Sequence, residues 1–153
     1  MDKKNLPLVS IGIPFYNSEL FLEDAINSVL RQSYKHWELF LVDDGSNDNS
    51  LEIAKLFEKS DHRVHVLSDG KNLGLPARLN QLSQLATGIY YARMDADDMM
   101  HPDRLAIQVD YLQKHEVVDL LGSGLIAIDN DNNTTGIRKG AFMQNFTLKQ
   151  VSE

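Results

Sequence analysis

The sequence predicts a doubly wound α/β fold built on a mostly parallel sheet, and three observations carry that expectation. Short apolar runs alternate with segments whose apolar residues recur every three or four positions, the patterns of strands and amphipathic helices. Each apolar run ends abruptly in a polar segment, most sharply at Ile89-Tyr90-Tyr91-Ala92-Arg93-Met94-Asp95-Ala96-Asp97-Asp98, where three carboxylates fall within four residues. No internal repeat or linker-like composition breaks the alternation. Strand and helix in alternation imply parallel strands joined by right-handed crossovers. All strand C-termini then share one edge, where open α/β sheets bind their ligands.

Residues 8–14 read as a first buried strand, followed by Phe15-Tyr16-Asn17. Ser18 suits the N-cap of a helix running to about residue 32, with Leu22, Ala25, Ile26, Val29 and Leu30 on its apolar face. Residues 37–42 form a second strand that ends in Asp43-Asp44-Gly45-Ser46. A helix over about 50–59 turns Leu51, Ala54, Leu56 and Phe57 inward, and Asn49 precedes Glu52 by three residues, as in a capping box. After a third strand at 64–67, a loop from Ser68 to Leu75 enters a helix opened by Pro76. That helix carries Leu79, Leu82, Leu85 and Ala86, and Gly88 is placed to close it. The strand with the acidic tip follows and is expected at the centre of the sheet. His101-Pro102-Asp103-Arg104 opens another helix, with Leu105, Ile107, Val109 and Leu112 as core candidates. Residues 120–128 are strand-like and 129–133 form a turn or hairpin tip; from Thr134 onward no firm structure is assigned.

A chain of 153 residues, 42% hydrophobic and 24% charged, has the make-up of one globular domain, with or without a fragment of another. A net charge of −7 without Lys/Arg clusters argues against nucleic acid as partner. The absence of cysteine excludes disulfides, zinc-thiolate sites and thiol catalysis. Neither a signal-peptide core nor a membrane-length apolar segment is present, so a cytoplasmic setting is expected, the inner face of the plasma membrane included.

The shared edge gathers an aromatic face (Tyr16), an acceptor carboxylate beside a flexible turn (Asp44, Gly45), a glycine-bearing loop (68–74) and the cluster Asp95-Ala96-Asp97-Asp98. A nucleotide diphosphate joined to a further group would use all of these. Its base would stack on Tyr16 and donate a hydrogen bond to Asp44, while a divalent ion bridged Asp97 to the diphosphate. Hard oxygen ligands suit Mg²⁺ or Mn²⁺. Without an ion, each close pair of like charges would cost about 4 kcal/mol at intermediate dielectric.

The stretches Val9-Ser10-Ile11-Gly12-Ile13-Pro14-Phe15-Tyr16-Asn17, Leu41-Val42-Asp43-Asp44-Gly45-Ser46, Asn72-Leu73-Gly74 and Ala92-Arg93-Met94-Asp95-Ala96-Asp97-Asp98, with Pro102-Asp103-Arg104-Leu105 beyond, resemble family 2 glycosyltransferases from about Leu8 to Ser123. The resemblance implies the GT-A fold and inverting transfer of a sugar from a nucleotide-sugar, most often a UDP-sugar, to an acceptor hydroxyl on a glycan or lipid-linked glycan, in cell-surface polysaccharide or glycolipid synthesis. It implies donor contacts from Pro14, Tyr16, Asp44, Gly74, Asp95 and Ala96. It makes Asp97, with Asp95, the ligand of a Mn or Mg ion, and Asp98 completes the loop.

Two departures stand out. Many members carry Arg immediately before the Asn aligned with Asn80, and Gly two residues after it; Leu79 and Leu82 occupy those places, leaving Arg78 one position off. No residue matches the family's general base, which abstracts the acceptor proton opposite the leaving group, so the catalytic residue is unassigned. The expected organisation is a donor-binding domain over 1–128 and, over 129–153, the start of an acceptor-side region or a tail. On this reading the base lies beyond Glu153, and the side where the acceptor half would pack is open to self-association. A nucleotide-sugar-binding module without catalysis is the main alternative. An Asp-x-Asp phosphatase is weaker, because its nucleophile motif wants Thr where Met99 stands. Gly122-Ser123-Gly124-Leu125-Ile126-Ala127 imitates a dinucleotide fingerprint but precedes strand-like residues, not a helix. The calcium-loop pattern starting at Asp129 fails at Thr134 and Gly140, which stand where Gly and Glu are needed.

Overall fold

The computed structural model describes residues 6–129 and 133–138. In chain order the elements are β1 (Val9–Phe15), α1 (Leu22–Leu30), β2 (Trp37–Asp43), α2 (Ser50–Ser60), β3 (Val64–Ser68), α3 (Leu75–Leu85), β4 (Tyr90–Arg93), α4 (Arg104–Lys114), β5 (Leu125–Ile128) and β6 (Thr134–Arg138). Two compact units are formed, by Met1–Ala106 and by Ile107–Glu153. The division falls inside α4, upstream of the boundary expected after residue 128. Of the proposed acceptor-side stretch 129–153, residues 130–132 and 139–153 lie outside the described residues.

The first unit holds a parallel four-stranded sheet in the order β3-β2-β1-β4, the doubly wound α/β arrangement expected. Every residue of β1 is buried, as are all of β2 except Glu38. Strands covered on both faces read as continuous apolar runs rather than alternations. The order steps outward from β1 to β3 and then returns past β1 to β4. With right-handed crossovers that reversal puts α3 on the face opposite α1 and α2. On the α3 face, Leu82 packs with Phe40 and Val42, flanked by Leu67 and Leu85. Leu39 and Leu41, alternate residues of β2, therefore face the other way. A reversal of this kind opens a crevice between β1 and β4 beyond their C-terminal ends.

Several local expectations give way to tertiary packing. The acidic-tipped strand β4 is terminal in the described sheet order, not central; β1 and β2 are the interior strands. Ser18 does not cap α1, because its hydroxyl donates to the Tyr16 carbonyl while Phe21 holds the N-cap position. Asn49 does stand before α2, yet its side chain donates across to Glu19 instead of closing a capping box. Only Ala54 of the four apolar candidates in α2 is buried, and Leu56 is 65% exposed. In α3, Leu82 alone of its candidates is buried; in α4, Ile107 is exposed while Leu105 and Val109 are buried.

Gly88 does not close α3, which ends at Leu85; it lies where β4 starts alongside β1. A Cβ there would stand 2.6 Å from the Leu8 carbonyl oxygen and 2.7 Å from the Ser10 nitrogen, so the approach of the two segments requires glycine. The Gly88 N–H donates to Ser10 Oγ, which itself donates to Glu38 Oε1, the acceptor also of the Thr87 N–H and hydroxyl. In the second unit, β5 and β6 form an antiparallel hairpin. Residues 134–138, left unassigned from sequence, are thus a strand, and Gly122–Gly124 lead into β5 rather than into a helix.

Candidate functional site

Four loops of the first unit leave the C-terminal edge of the sheet, one after each strand. After β1, Tyr16 is 47% exposed and Asn17 takes a left-handed backbone conformation (φ 48°) that asparagine tolerates better than most residues. This loop is bound reciprocally to the one after β2. Asn17 N–H donates to Ser46 Oγ (3.1 Å), Asn47 N–H to Asn17 Oδ1 (2.8 Å), Ser18 N–H to Ser50 Oγ (2.7 Å) and Glu19 N–H to Asp48 Oδ2 (3.1 Å). The Asn49 N–H returns a bond to Glu19 Oε2 (3.0 Å).

Asp43 and Asp44 end β2 with opposite assignments. Asp43 accepts from the Ser46 N–H and the Ser68 hydroxyl, tying the turn to the end of β3. Asp44, whose N–H donates to the Phe15 carbonyl, directs its carboxylate to the loop after β3. There Oδ1 accepts from the Leu73 N–H (2.7 Å) and Arg78 Nε (2.9 Å), and the Gly74 N–H is shared between Oδ2 (3.1 Å) and Oδ1 (3.3 Å). Burial pushes the Asp44 carboxyl up, but the Leu73 N–H, Arg78 and the Gly74 N–H together hold it below the usual carboxylate range. Gly45 (φ 77°) fits closely under the same loop: a Cβ there would stand 2.9 Å from the Lys71 carbonyl carbon.

After β4 the chain turns Met94 and Ala96 inward and leaves Asp97 and Asp98 exposed. Asp95 is half-exposed and pairs with Arg93 (2.8 Å). Burial, then the Asp97 and Asp95 carboxylates, push the Asp98 carboxyl up, a sign of anionic crowding. Arg104 partly offsets it from the start of α4, where its Nη2 donates to the Arg93 carbonyl. Gln32, fully buried in the segment after α1, fixes the approach to α4: its Nε2 donates to the His101 carbonyl and its Oε1 accepts the Leu105 N–H. Among the described residues no three His, Cys, Asp or Glu side chains close around a metal position. The donor set nonetheless fits Mg²⁺ or Mn²⁺, which take one or two carboxylates and leave other positions to water and ligand phosphates.

All the residues singled out from sequence except Pro14 therefore fall on these loops. Tyr16 is presented at the edge, whereas Pro14 is buried within β1 beside Val42. Gly74, at φ 83°, starts α3 and gives its N–H to Asp44. Ala96 is the buried spacer that leaves Asp95 and Asp97 on the solvent side. Sequence reasoning missed Gln32, the cross-loop bonds of Asn17 and Asp48, and the environment of Arg78. A polar residue at an inward position of an amphipathic helix is the available signal for Arg78, since Leu82 lies four residues on, along the same face.

The sequence profile of glycosyl transferase family 2 matches residues 10–152. The chain belongs to that family. Curated relatives include EpsE of Bacillus subtilis (strain 168), by name a glycosyltransferase, 42% identical over 124 residues that cover 80% of this chain and 45% of EpsE. Another is the Escherichia coli UDP-Glc:alpha-D-GlcNAc-diphosphoundecaprenol beta-1,3-glucosyltransferase WfgD, 34% identical over 84% of this chain and 49% of WfgD. The chain thus spans about half the length of such relatives. Among solved structures, S. aureus TarS 1-349 in complex with UDP superposes with a TM-score of 0.66 at 26% identity, over 71% of this chain and 32% of that one. TarS has also been solved with UDP-GlcNAc. The mannosyltransferase PcManGT from Pyrobaculum calidifontis, in complex with GDP-Man and Mn²⁺, gives a TM-score of 0.63 at 25% identity, over 69% of this chain and 32% of its own. The sheet is accordingly of the GT-A type, and the neighbours bind nucleotide-sugars.

Proposed function

We propose that this chain forms the donor side of an inverting, metal-dependent glycosyltransferase that takes a UDP-sugar and serves cell-surface polysaccharide or glycolipid synthesis at the cytoplasmic face of the membrane. The observation that carries the reading is the placement of Tyr16, Asp44 and Asp95–Asp98 on loops of one sheet edge, with the β1 and β4 loops flanking the reversal in strand order. The base stacks on the exposed Tyr16 ring and its N–H meets Asp44. Asp97, with Asp95, would hold Mn²⁺ or Mg²⁺, which when bound supplies Lewis-acid stabilisation to the departing nucleoside diphosphate. Arg93 neutralises Asp95 in the free protein and can shift to a phosphate as the donor enters. Residues 1–128 serve the donor and 129–153 begin the acceptor side. The lipid-diphosphate sugar named for the E. coli relative makes a lipid-linked glycan the acceptor class we favour.

No described helix is long and apolar enough to cross a membrane. Calorimetry with UDP, UDP-Glc and UDP-GlcNAc, with and without Mn²⁺, tests the reading. Binding that strengthens with Mn²⁺ supports it, and no binding of any nucleotide under either condition refutes it.

A further inference from the structure

The Arg78 guanidinium is 1% exposed and its hydrogen bonding is complete. An arginine side chain has five N–H donors. Here Nε–H goes to Asp44 Oδ1 (2.9 Å); Nη1 donates to Gln81 Oε1 (2.9 Å) and Asp69 Oδ2 (3.3 Å); Nη2 donates to Asp69 Oδ1 (2.7 Å) and the Lys71 carbonyl. No N–H remains for a ligand phosphate. The residue instead joins α3, the loop 69–74 and the end of β2, and its effect on any ligand passes through what it holds.

What it holds is Asp44. With the Leu73 N–H and Arg78 both on Oδ1, that oxygen is saturated, while Oδ2 accepts only the shared Gly74 N–H. One lone pair on Oδ2 is left over. An ionised carboxylate accepts and never donates. The free position therefore suits a base bearing a ring N–H at its pairing edge, as uracil and guanine do. Cytosine and adenine present a lone pair at the corresponding ring nitrogen and would meet the carboxylate with repulsion.

We propose that Arg78 is a positioning residue for base specificity: by locking Asp44 and the loop 69–74 into one arrangement, it makes the site select nucleoside diphosphates whose base carries a ring N–H. This rests on the donor-site reading above. Lysine in its place keeps a charge but loses the planar fork that reaches Asp44, Asp69, Gln81 and the Lys71 carbonyl together.

The test is calorimetry on the whole chain with Mn²⁺, using UDP, GDP, CDP, ADP and, as a probe without a base, inorganic pyrophosphate. Wild type is expected to bind UDP or GDP more tightly than CDP and ADP. Arg78→Lys and Arg78→Gln should weaken the preferred nucleotide about tenfold, the scale of one charge-assisted hydrogen bond, and bring its ratio to CDP towards one. Pyrophosphate affinity should not move. An equal loss for pyrophosphate would mean that Arg78 acts on the phosphates, and an unchanged nucleotide ratio would mean that it does not set specificity; either overturns the proposal while leaving the donor site standing. Wild type that binds no nucleotide overturns both. If the Arg78 variants fail to fold, Asp69→Asn carries the test, since it loosens one side of the guanidinium from the exposed end. A smaller shift in the same direction supports the proposal, and an unchanged ratio refutes it.

Discussion

Adjacent carboxylates in this chain have unlike jobs, and the difference is set by what each is offered to accept. Asp97 is exposed and accepts no hydrogen bond from the described residues, so replacing it removes a charge from the proposed metal position and little else. Asp97→Asn is expected to abolish the Mn²⁺-dependent increment of UDP-sugar binding while changing stability by no more than about 0.5 kcal/mol, as surface substitutions usually do. Calorimetry and thermal melting of the same preparation check both halves. Asp61 and Asp69 instead serve the fold: Arg63 beside Asp61, and Arg78 beside Asp69, bring each carboxyl down to about 2 from an ordinary 3.8. A depressed carboxyl binds fewer protons folded than unfolded, so its stabilisation is complete above the unfolded value and is lost as pH falls. Stability should therefore decline between about pH 3.8 and 2, and Asp61→Asn should make the melting temperature less steep over that interval while lowering it at neutral pH.

At the scale of elements, the glycines separate two kinds of constraint. Gly45 and Gly70 both hold positive φ, 77° and 68°, but only Gly45 has backbone against it. Gly70→Ala should cost about 1–2 kcal/mol, the left-handed penalty alone. Gly45→Ala should cost more and also displace the loop that carries Lys71 to Gly74, weakening nucleotide binding; urea unfolding and calorimetry of the pair separate the two effects. Equal losses of stability in both variants would sink the distinction. The same elements explain what was legible in the sequence. Strand–helix order was readable because β1 and β2 are mostly apolar, broken only by Ser10, Glu38 and the terminal Asp43, and α1 keeps a buried stripe of Leu22, Ala25, Ile26 and Val29. The start of α1 was not, because the Ser18 hydroxyl turns back to the Tyr16 carbonyl and Phe21 stands at the N-cap; α2 does start at Ser50, but Asn49 reaches across to Glu19 instead of closing a capping box. The acidic loop and Tyr16 could be seen from their positions after strands. The Arg78–Asp44–Asp69 cluster could not, since it joins residues 25 and 34 positions from Asp44 through a tertiary approach of loop and helix that no local pattern encodes.

For the molecule as a whole, a donor edge must be joined to a base and an acceptor seat before it becomes a transferase. Inverting transfer needs a general base on the acceptor hydroxyl, opposite the leaving group, worth about 10²- to 10⁴-fold in rate. Holding two reactants in register accounts for roughly 7–11 kcal/mol more. The relatives extend to about twice the length matched here, room enough for both functions. In the described hairpin, Leu125, Ile126, Ile128 and Ile137 are all exposed, an apolar surface of the kind that associates. Residues 1–153 by themselves are therefore expected to bind a UDP-sugar, to transfer no sugar above background, and to self-associate as concentration rises, visible as a sedimentation coefficient that grows with loading. The discriminating experiment is a product assay of residues 1–153 with a panel of UDP-sugars and lipid-linked acceptors, run beside a full-length homologue. Slow, Mn²⁺-dependent release of free sugar would agree with a donor site working without its acceptor half. Transfer at the homologue's rate would place the base within residues 1–153, and the division between donor and acceptor sides would have to be redrawn.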